Sequence, residues 1–308
     1  MILSVTMNPS QDKVYIVNDF SIQKVHRTNQ YKATAGGKGL NVARVVKALD
    51  KDIIATGLLG GLSGTFIENK LKTQNINNKF VKISGETRTC INITDQKNNT
   101  TTEILEAGPK IKESEITRFI TVYKKLIKKT DIITLSGSLP RGLDDSFYFK
   151  LIELAKNMDI KVILDTSGQY LKEGIKGKPF MVKPNEDEIN ELFGQKNKKV
   201  SDYINVLDKL KDLGIKLPVI TLGKKGAVVM IDEKYYHLKL PKVETVNTVG
   251  SGDAFVAGCA VGLQKYNLID IIKLGLASGT ANTLFVKTGK VTKEKVNKYL
   301  DKIEVDQI

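Results

Sequence analysis

The sequence predicts an α/β protein whose mostly parallel sheet is covered by helices on both faces and carries a small β-sheet lid. From residue 112 onward, helical and strand patterns alternate, which is typical of right-handed βαβ units. Two earlier segments, at about residues 12–35 and 86–107, contain short strands of alternating polarity instead. We therefore expect one domain, residues 1–308, with the lid strands inserted at these two places.

Composition and charge limit the classes of function. Hydrophobic residues make up 41% of the chain, and no apolar run reaches the roughly 20 residues that cross a bilayer. The net charge is +14, but the lysines are spread along the chain without a zinc-finger or aromatic RNA-binding pattern, so we expect no nucleic-acid partner. Two cysteines, Cys90 and Cys259, cannot build a disulfide framework, so we expect a cytoplasmic protein without a membrane partner.

In the first half of the chain, the lid strands are interspersed with α/β elements. Apolar residues at every second position predict the lid strands, and apolar residues three and four apart predict helices. We expect a strand near residues 1–7, lid strands at 14–17 and 28–33, a helix at 40–49, a strand at 53–59, a helix at 65–73 and lid strands at 87–93 and 102–106. These lid strands are expected to form one antiparallel sheet, which a partner subunit would cover.

In the second half, short apolar runs predict buried strands and amphipathic stretches predict helices. We expect helices at 112–129, 146–158, 186–193 and 200–213, and strands at 131–135, 161–164, 179–182 and 219–222. Polar clusters follow these strands at residues 136–140, 165–168, 183–188 and 221–226. Because the carboxyl ends of parallel strands meet at one edge, we expect a nucleotide and its magnesium ion there; the alternative is that each cluster is only a turn.

The motif Gly250-Ser251-Gly252-Asp253 precedes an apolar run with helical spacing. Main-chain amides at a helix N-terminus, together with the helix dipole, favour a bound phosphate. A carboxylate at Asp253 would repel that phosphate, but it is suited to accept the proton of an attacking hydroxyl. The alternative is that the motif is a turn and that Asp253 caps the helix.

A second glycine cluster, Gly36-Gly37-Lys38-Gly39, opens the helix at residues 40–49. Its glycines permit a ligand to approach the main chain, and Lys38 and Asn41 would point toward that ligand. The spacing is not that of a Walker A loop. A plain junction between loop and helix is the alternative. Asp12, which follows the first strand, is a further candidate for ligand contact.

The two glycine motifs resemble those of the PfkB/ribokinase family of sugar kinases, in which they occur in the same order and about two hundred residues apart. The clusters at 136–140 and 183–188 between them add to this resemblance. The resemblance covers nearly the whole chain. It implies a ribokinase-like fold and an enzyme that phosphorylates a sugar hydroxyl with ATP and Mg²⁺. It implies a catalytic base at Asp253, an anion hole at Gly250, Ser251 and Gly252, and sugar contacts at Asp12, Gly37, Lys38 and Asn41. It also implies a magnesium-linked Glu188, which acts through water, and nucleotide contacts at Lys183, Asn185, Thr221, Gly223, Gly226 and Asn282.

Two arginines in the lid segments, Arg27 and Arg88, favour a phosphosugar, because a guanidinium group matches the geometry of a phosphate. Ser138 is expected to lie on the side of the site that binds the sugar. Residues 85–91 and 102–109 look most like tagatose-6-phosphate kinases, in which Cys90 and Glu103 would flank the substrate. Residues 278–282 look as much like 1-phosphofructokinases. The resemblance thus implies phosphorylation of a ketohexose phosphate to a bisphosphate.

Two rival functions are a kinase for an unphosphorylated sugar or nucleoside, and a non-catalytic protein that binds sugar phosphate or nucleic acid. Arg27 and Arg88 argue against the first, and the intact Asp253 argues against the second. A homodimer through the lid is also expected. Asn247 stands where the family has an acidic residue before the second motif, so the monovalent-cation site associated with that residue is not implied.

Overall fold

The computed structural model describes residues 1–194 and 199–308, which form a large sheet and a small separate one. The described strands are β1 (Ile2–Thr6), β2 (Ser10–Val17), β3 (Tyr31–Gly36), β4 (Ile53–Leu59), β5 (Asn77–Lys82), β6 (Thr89–Asp95), β7 (Thr100–Leu105), β8 (Ile132–Ser136), β9 (Lys161–Asp165), β10 (Met181–Val182), β11 (Leu217–Thr221), β12 (Ala227–Ile231), β13 (Lys234–Lys239) and β14 (Glu304–Gln307). In the large sheet they lie in the order β14-β13-β12-β11-β10-β9-β8-β1-β4-β5.

Helices cover both faces of the large sheet. The described α-helices are α1 (Lys38–Ala48), α2 (Gly61–Thr73), α3 (Glu113–Ile127), α4 (Phe147–Lys156), α5 (Gly168–Ile175), α6 (Glu186–Phe193), α7 (Ile204–Asp212), α8 (Ser251–Gly262), α9 (Leu268–Thr283) and α10 (Lys293–Leu300). Apolar residues of α1, α2, α8, α9 and α10 pack in one core cluster, and those of α3 to α7 pack in another. Buried parallel strands require covering elements on both faces of the sheet, and these helices provide them. The predicted fold class is confirmed.

The strands from β5 across to β11 are parallel, whereas β11 to β14 pair antiparallel at one edge. No strand was expected at β12 to β14. Asp232 and Glu233 have positive φ angles of 48° and 63°, and they join β12 to β13. Such a two-residue connection reverses the chain at once and needs no crossover helix.

The small sheet has the order β3-β2-β6-β7 and contains both predicted lid segments. Its outer pairs are antiparallel, but the central pair of β2 and β6 is parallel. The expectation of a wholly antiparallel lid was therefore wrong at its centre. Each segment forms its own antiparallel pair of strands. The two pairs are joined through β2 and β6, the first strands of the two segments, which run in the same direction.

The lid adjoins the main body at the ends of its strands. Asp12, near the start of β2, lies opposite Cys90 of β6, and Ser10 lies opposite Gly36 at the end of β3. The helix α1 begins two residues after Gly36, so the same turn links the lid to the first glycine cluster. Within the described residues, no helix is long and apolar enough to cross a membrane.

Candidate functional site

The two glycine motifs, far apart in sequence, meet at the N-termini of α1 and α8. The side-chain amide of Asn41, in the first turn of α1, donates a hydrogen bond of 2.6 Å to Oδ2 of Asp253 in the first turn of α8. Gly37 and Gly250 cap these helices with φ angles of 111° and 80°, a region that favours glycine. The two candidate motifs thus form one site.

Asp253 is buried, with only 6% of its surface exposed. Burial and, second to it, the negative charge of Asp165 raise the pKa of its carboxyl to about 6. The charges of Lys38 and Lys183 and the hydrogen bond from Asn41 oppose this shift of the pKa. Asp253 is therefore a carboxylate that can accept a proton near neutral pH.

The start of α8 offers main-chain donors beside this carboxylate. The amide of Ser251 bonds the carbonyl of Thr248 at 3.2 Å, and that of Ala254 bonds the carbonyl of Gly250 at 2.9 Å. Within the described part of the chain, the amides of Gly252 and Asp253 between them remain available. They form the candidate anion hole. Of the three residues that the resemblance placed there, Gly252 offers its amide, Gly250 is the N-cap, and the amide of Ser251 is already bonded to Thr248.

A buried carboxylate, Asp165 at the end of β9, holds two lysines of the site. Lys183 Nζ lies 3.1 Å and Lys38 Nζ lies 3.6 Å from its Oδ1, and the side chain of Asp165 is 1% exposed. Burial alone would raise the pKa of Asp165, but the two ammonium groups hold it below its usual value. The same carboxylate raises the pKa of Lys38. Lys38 thus stays charged, and Asp165 holds both lysines in place.

Sequence reasoning had assigned no role to Asp165, although it lies in the polar cluster at residues 165–168. Its position at the carboxyl end of a parallel strand was the only signal in the sequence.

Arg44 was missed as well. This guanidinium group donates to the carbonyl of Ala35 at 2.8 Å and to Oδ1 of Asn41, so it orients the amide that faces Asp253. Burial lowers the pKa of Arg44 to about 10, which leaves it charged.

Asp12 lies on the lid side of the same cleft. Ser10 Oγ donates to its Oδ1 at 2.5 Å. Burial raises the pKa of Asp12, while the bond from Ser10 and the charges of Arg44 and Arg88 lower it. Its carboxylate occupies the space that a Cβ at Gly36 would need, so only glycine fits at residue 36 in this arrangement.

Arg88 and Ser138 meet through the buried Asn8. Arg88 Nε donates to the carbonyl of Asn8 at 3.1 Å, and Asn8 Nδ2 donates to Ser138 Oγ at 3.3 Å. A second nitrogen of Arg88 donates to the carbonyl of Glu106 at 3.1 Å. These main-chain bonds orient the guanidinium group, which can bind an anion with its remaining N–H groups.

The other lid residues that the sequence proposed lie at different distances from this cleft. Cys90 is buried and pairs with Asp12 across the sheet. The exposed Glu103 lies opposite Asn92, two residues further along β6, and accepts a bond of 3.2 Å from the Asn92 side chain. Arg27 is exposed in the loop between β2 and β3, at the opposite end of the lid. Within one chain, Arg27 is therefore not beside Asp12.

A cavity of about 820 Å³ adjoins the N-terminus of α8. Leu240, Pro241, Val243, Phe255 and Leu276 supply apolar walls. Five of the six residues with a proposed nucleotide contact line the cavity as well, namely Lys183, Asn185, Thr221, Gly223 and Gly226, together with Ser251 and Gly252 at the start of α8. Its volume and mixed lining suit a nucleotide. Asn282 is not part of this lining; it is buried and hydrogen-bonded between two loops.

Glu188, the proposed magnesium-linked residue, takes part in a capping box at the start of α6. Its Oε2 accepts a bond of 2.9 Å from the amide of Asn185, whose Oδ1 accepts one of 2.8 Å from the amide of Glu188. Among the described residues, no three carboxylate, cysteine or histidine groups cluster as a metal site. This donor set fits a Mg²⁺ that is held mainly by ligand phosphates and water, which is the usual mode of Mg²⁺ binding.

Replacement of Asp165 should reveal its electrostatic effect on Asp253. In Asp165→Asn the negative charge that raises the pKa of Asp253 is lost, and both lysines remain, so this pKa should fall below about 6. Carboxyl ¹³C NMR titration of wild type and variant measures the shift. Asp208→Asn, a distant change that removes the negative charge beside the Tyr235 hydroxyl, is the control. An unchanged pKa in Asp165→Asn would contradict the assigned role.

Residues 6–293 match the family model described as pfkB family carbohydrate kinase. The tagatose-6-phosphate kinase of Staphylococcus epidermidis is 40% identical over 315 residues, which cover 100% of both chains. A possible 1-phosphofructokinase from Thermotoga maritima is 29% identical, with a TM-score of 0.90 over 100% of this chain and 99% of that one. Phosphofructokinase-2 from Escherichia coli, in complex with substrates and products, is 24% identical and shares the fold, with a TM-score of 0.89 over 98% of both chains. As the two glycine motifs predicted, this chain belongs to the pfkB family of carbohydrate kinases.

Proposed function

We propose that this kinase transfers the γ-phosphoryl group of ATP to the free primary hydroxyl of tagatose 6-phosphate and forms tagatose 1,6-bisphosphate. The observation that carries the proposal is the position of Asp253. This carboxylate, with a pKa of about 6, lies at the N-terminus of α8, between the cavity suited to a nucleotide and the cleft that contains Asp12 and Arg88. The 40% identity to a tagatose-6-phosphate kinase over the full length supports the choice of sugar.

In the proposed reaction, Asp253 accepts the proton of the sugar hydroxyl as the hydroxyl oxygen attacks the phosphorus atom in line. Asn41 donates to Oδ2 of Asp253 and so fixes the orientation of the carboxylate. The amides of Gly252 and Asp253 point to where the phosphoryl oxygens gain negative charge. These donors are preorganised, because the helix holds them before any ligand binds.

Lys38 and Lys183 stabilise the anionic phosphates, while Asp165 holds both ammonium groups in place. Mg²⁺, when bound with ATP near Asn185 and Glu188, would neutralise charge on the phosphates. Asp12 lies where it can accept hydrogen bonds from sugar hydroxyls, and Arg88 binds the phosphate at the other end of the sugar.

The second candidate substrate is fructose 1-phosphate, which the 29% identity to a possible 1-phosphofructokinase supports less strongly. Both sugars carry one phosphate and one free primary hydroxyl, so the same residues would serve either. A comparison of kcat/KM for tagatose 6-phosphate, fructose 1-phosphate and fructose 6-phosphate decides between them. We expect the highest value for tagatose 6-phosphate, and a higher value for either fructose phosphate would refute the proposed sugar.

Asp253→Asn should lower kcat by about two to four powers of ten, the range that general base catalysis contributes. The amide keeps the shape of the side chain but cannot accept the proton. Steady-state kinetics gives kcat, and calorimetric titration checks that ATP still binds with nearly unchanged Kd. Near-normal turnover in this variant would exclude Asp253 as the base.

Arg88→Ala should raise the KM for the phosphosugar roughly tenfold or more, because a charged hydrogen bond to the phosphate is lost. The KM for ATP should stay nearly constant. Arg118→Ala is the matched control. Arg118 also donates to a main-chain carbonyl, that of Lys82 at 2.9 Å, but it lies on α3 and outside the cleft. An equal rise for ATP would show that Arg88 does not bind the sugar phosphate. Arg27→Ala, in the same assay, tests the sequence-based prediction for Arg27.

A homodimer through the lid is also part of the proposal. The lid face turned away from Asp12 carries Tyr31 and Ile104, which are 66% and 55% exposed, and an exposed apolar face of this kind marks an interaction surface. Ile104→Lys should convert a dimer to a monomer in light scattering after size exclusion. Met158→Lys, at a 44% exposed residue after α4, should leave the dimer intact. A monomeric wild-type protein would contradict the proposal.

We also propose a cytoplasmic location. Both cysteines are free and buried, which is compatible with a reducing compartment. The proposed substrates, ATP and a sugar phosphate, are intracellular metabolites whose charge keeps them from crossing a membrane.

A further inference from the structure

Two loops lie side by side where the anion hole begins. The first, residues 245–250, leads into α8 and is here named the entry loop; the second, residues 284–290, follows α9 and is named the exit loop. Asn247 of the entry loop donates from Nδ2 to the carbonyl of Val286 in the exit loop at 2.9 Å. Its Oδ1 accepts a bond of 3.0 Å from the amide of Val249. One carboxamide therefore connects the two loops and also shapes the entry loop.

The orientation of this carboxamide follows from its partners. A main-chain carbonyl can only accept a hydrogen bond, and a main-chain N–H can only donate one. Nδ2 must therefore face Val286, and Oδ1 must face Val249; the reversed amide would satisfy neither.

The spacing of the two loops affects the anion hole directly. Asn282 bridges the same loops, since its Nδ2 donates to the carbonyl of Val249 at 3.0 Å and its Oδ1 accepts from the amide of Gly289 at 2.9 Å. The methyl group of Thr288 packs against Gly250, where a Cβ would collide with it. Because Gly250 precedes the first residue of α8, a shift of the exit loop would move the main-chain donors beside Asp253.

We propose that Asn247 is a positioning residue of the anion hole. Its side-chain N–H group holds the entry loop and the exit loop together, as a monovalent cation bound between them would. A carboxylate at residue 247 would turn an oxygen toward the carbonyl oxygen of Val286, and two facing acceptors need a cation between them. The amide supplies a donor instead. The kinase therefore works without K⁺ or Na⁺, an inference that rests on the proposed function.

Asn247→Asp tests this geometry without an activity assay. The melting temperature of the variant should rise in KCl above its value in choline chloride of equal ionic strength, because a cation that binds only the folded state stabilises it. The wild-type melting temperature should be the same in both salts. Asn78→Asp is the matched control, since Asn78 lies in the edge strand β5 and its side chain donates to the carbonyl of Ile76 at 3.4 Å. This variant should show no specific response to K⁺.

Activity gives the second readout. Wild-type kcat/KM should change less than about twofold between KCl and choline chloride, while Asn247→Asp should lose roughly tenfold in choline and regain most of it in K⁺. Asn247→Ala, which loses both bonds, should be slower in every salt. A wild-type enzyme that requires K⁺, or an Asn247→Asp variant insensitive to K⁺ in both assays, overturns the inference. Absence of kinase activity from wild type in all salts would refute the proposed function, and the melting temperatures would still test the inference about Asn247.

Discussion

The ion network of Asp165 with Lys38 and Lys183 is the interaction on which the site depends. Three charges are held at or near the carboxyl edge of the sheet, and the Asp165–Lys183 pair is almost fully buried, with 1% and 5% of the side chains exposed. A buried pair of this kind contributes little net stability, but loss of one partner typically costs about 3–5 kcal/mol, because the other charge stays buried and unpaired. The network therefore fixes positions more than it stabilises the fold. It places two cations beside Asp253 and sets the electrostatic potential in which that carboxyl titrates.

Sequence patterns were sufficient for the fold class and for both glycine motifs, because these depend on local periodicity and on the special backbone freedom of glycine. Gly37 and Gly250, for example, cap α1 and α8 with positive φ angles, as the motifs require. The patterns did not assign a role to Asp165, since a carboxylate at a strand end carries no local sign of the two lysines that bind it. The family resemblance implied a nucleotide contact for Asn282, whose side chain is buried and hydrogen-bonded between two loops.

The lid shows a similar limit of local reasoning. Alternation of polar and apolar residues predicts a strand and its two faces, but it does not say which neighbouring strand pairs with it or in which direction. The parallel pairing of β2 with β6 depends on where both segments leave the main body, and this is a property of the whole chain. The same pairing brings Cys90 beside Asp12 and leaves Arg27 at the far end of the lid. Whether a residue of the lid lies near the cleft is therefore set by the pairing, and the composition of the segment does not reveal it.

The basic character of the chain acquires a local meaning in this site. The residues that line the cavity include Lys183, Lys224 and Lys242 and no carboxylate in the described part of the chain. A kinase for a phosphosugar must bring two multiply charged anions together, and their mutual repulsion has to be offset by fixed cations. Two lysine ammonium groups that lie close together repel one another in the empty site. A buried carboxylate such as Asp165 offsets this repulsion for Lys38 and Lys183, and it also raises the pKa of Asp253, the proposed base. One acidic residue thus links the binding of anions to the acceptance of a proton.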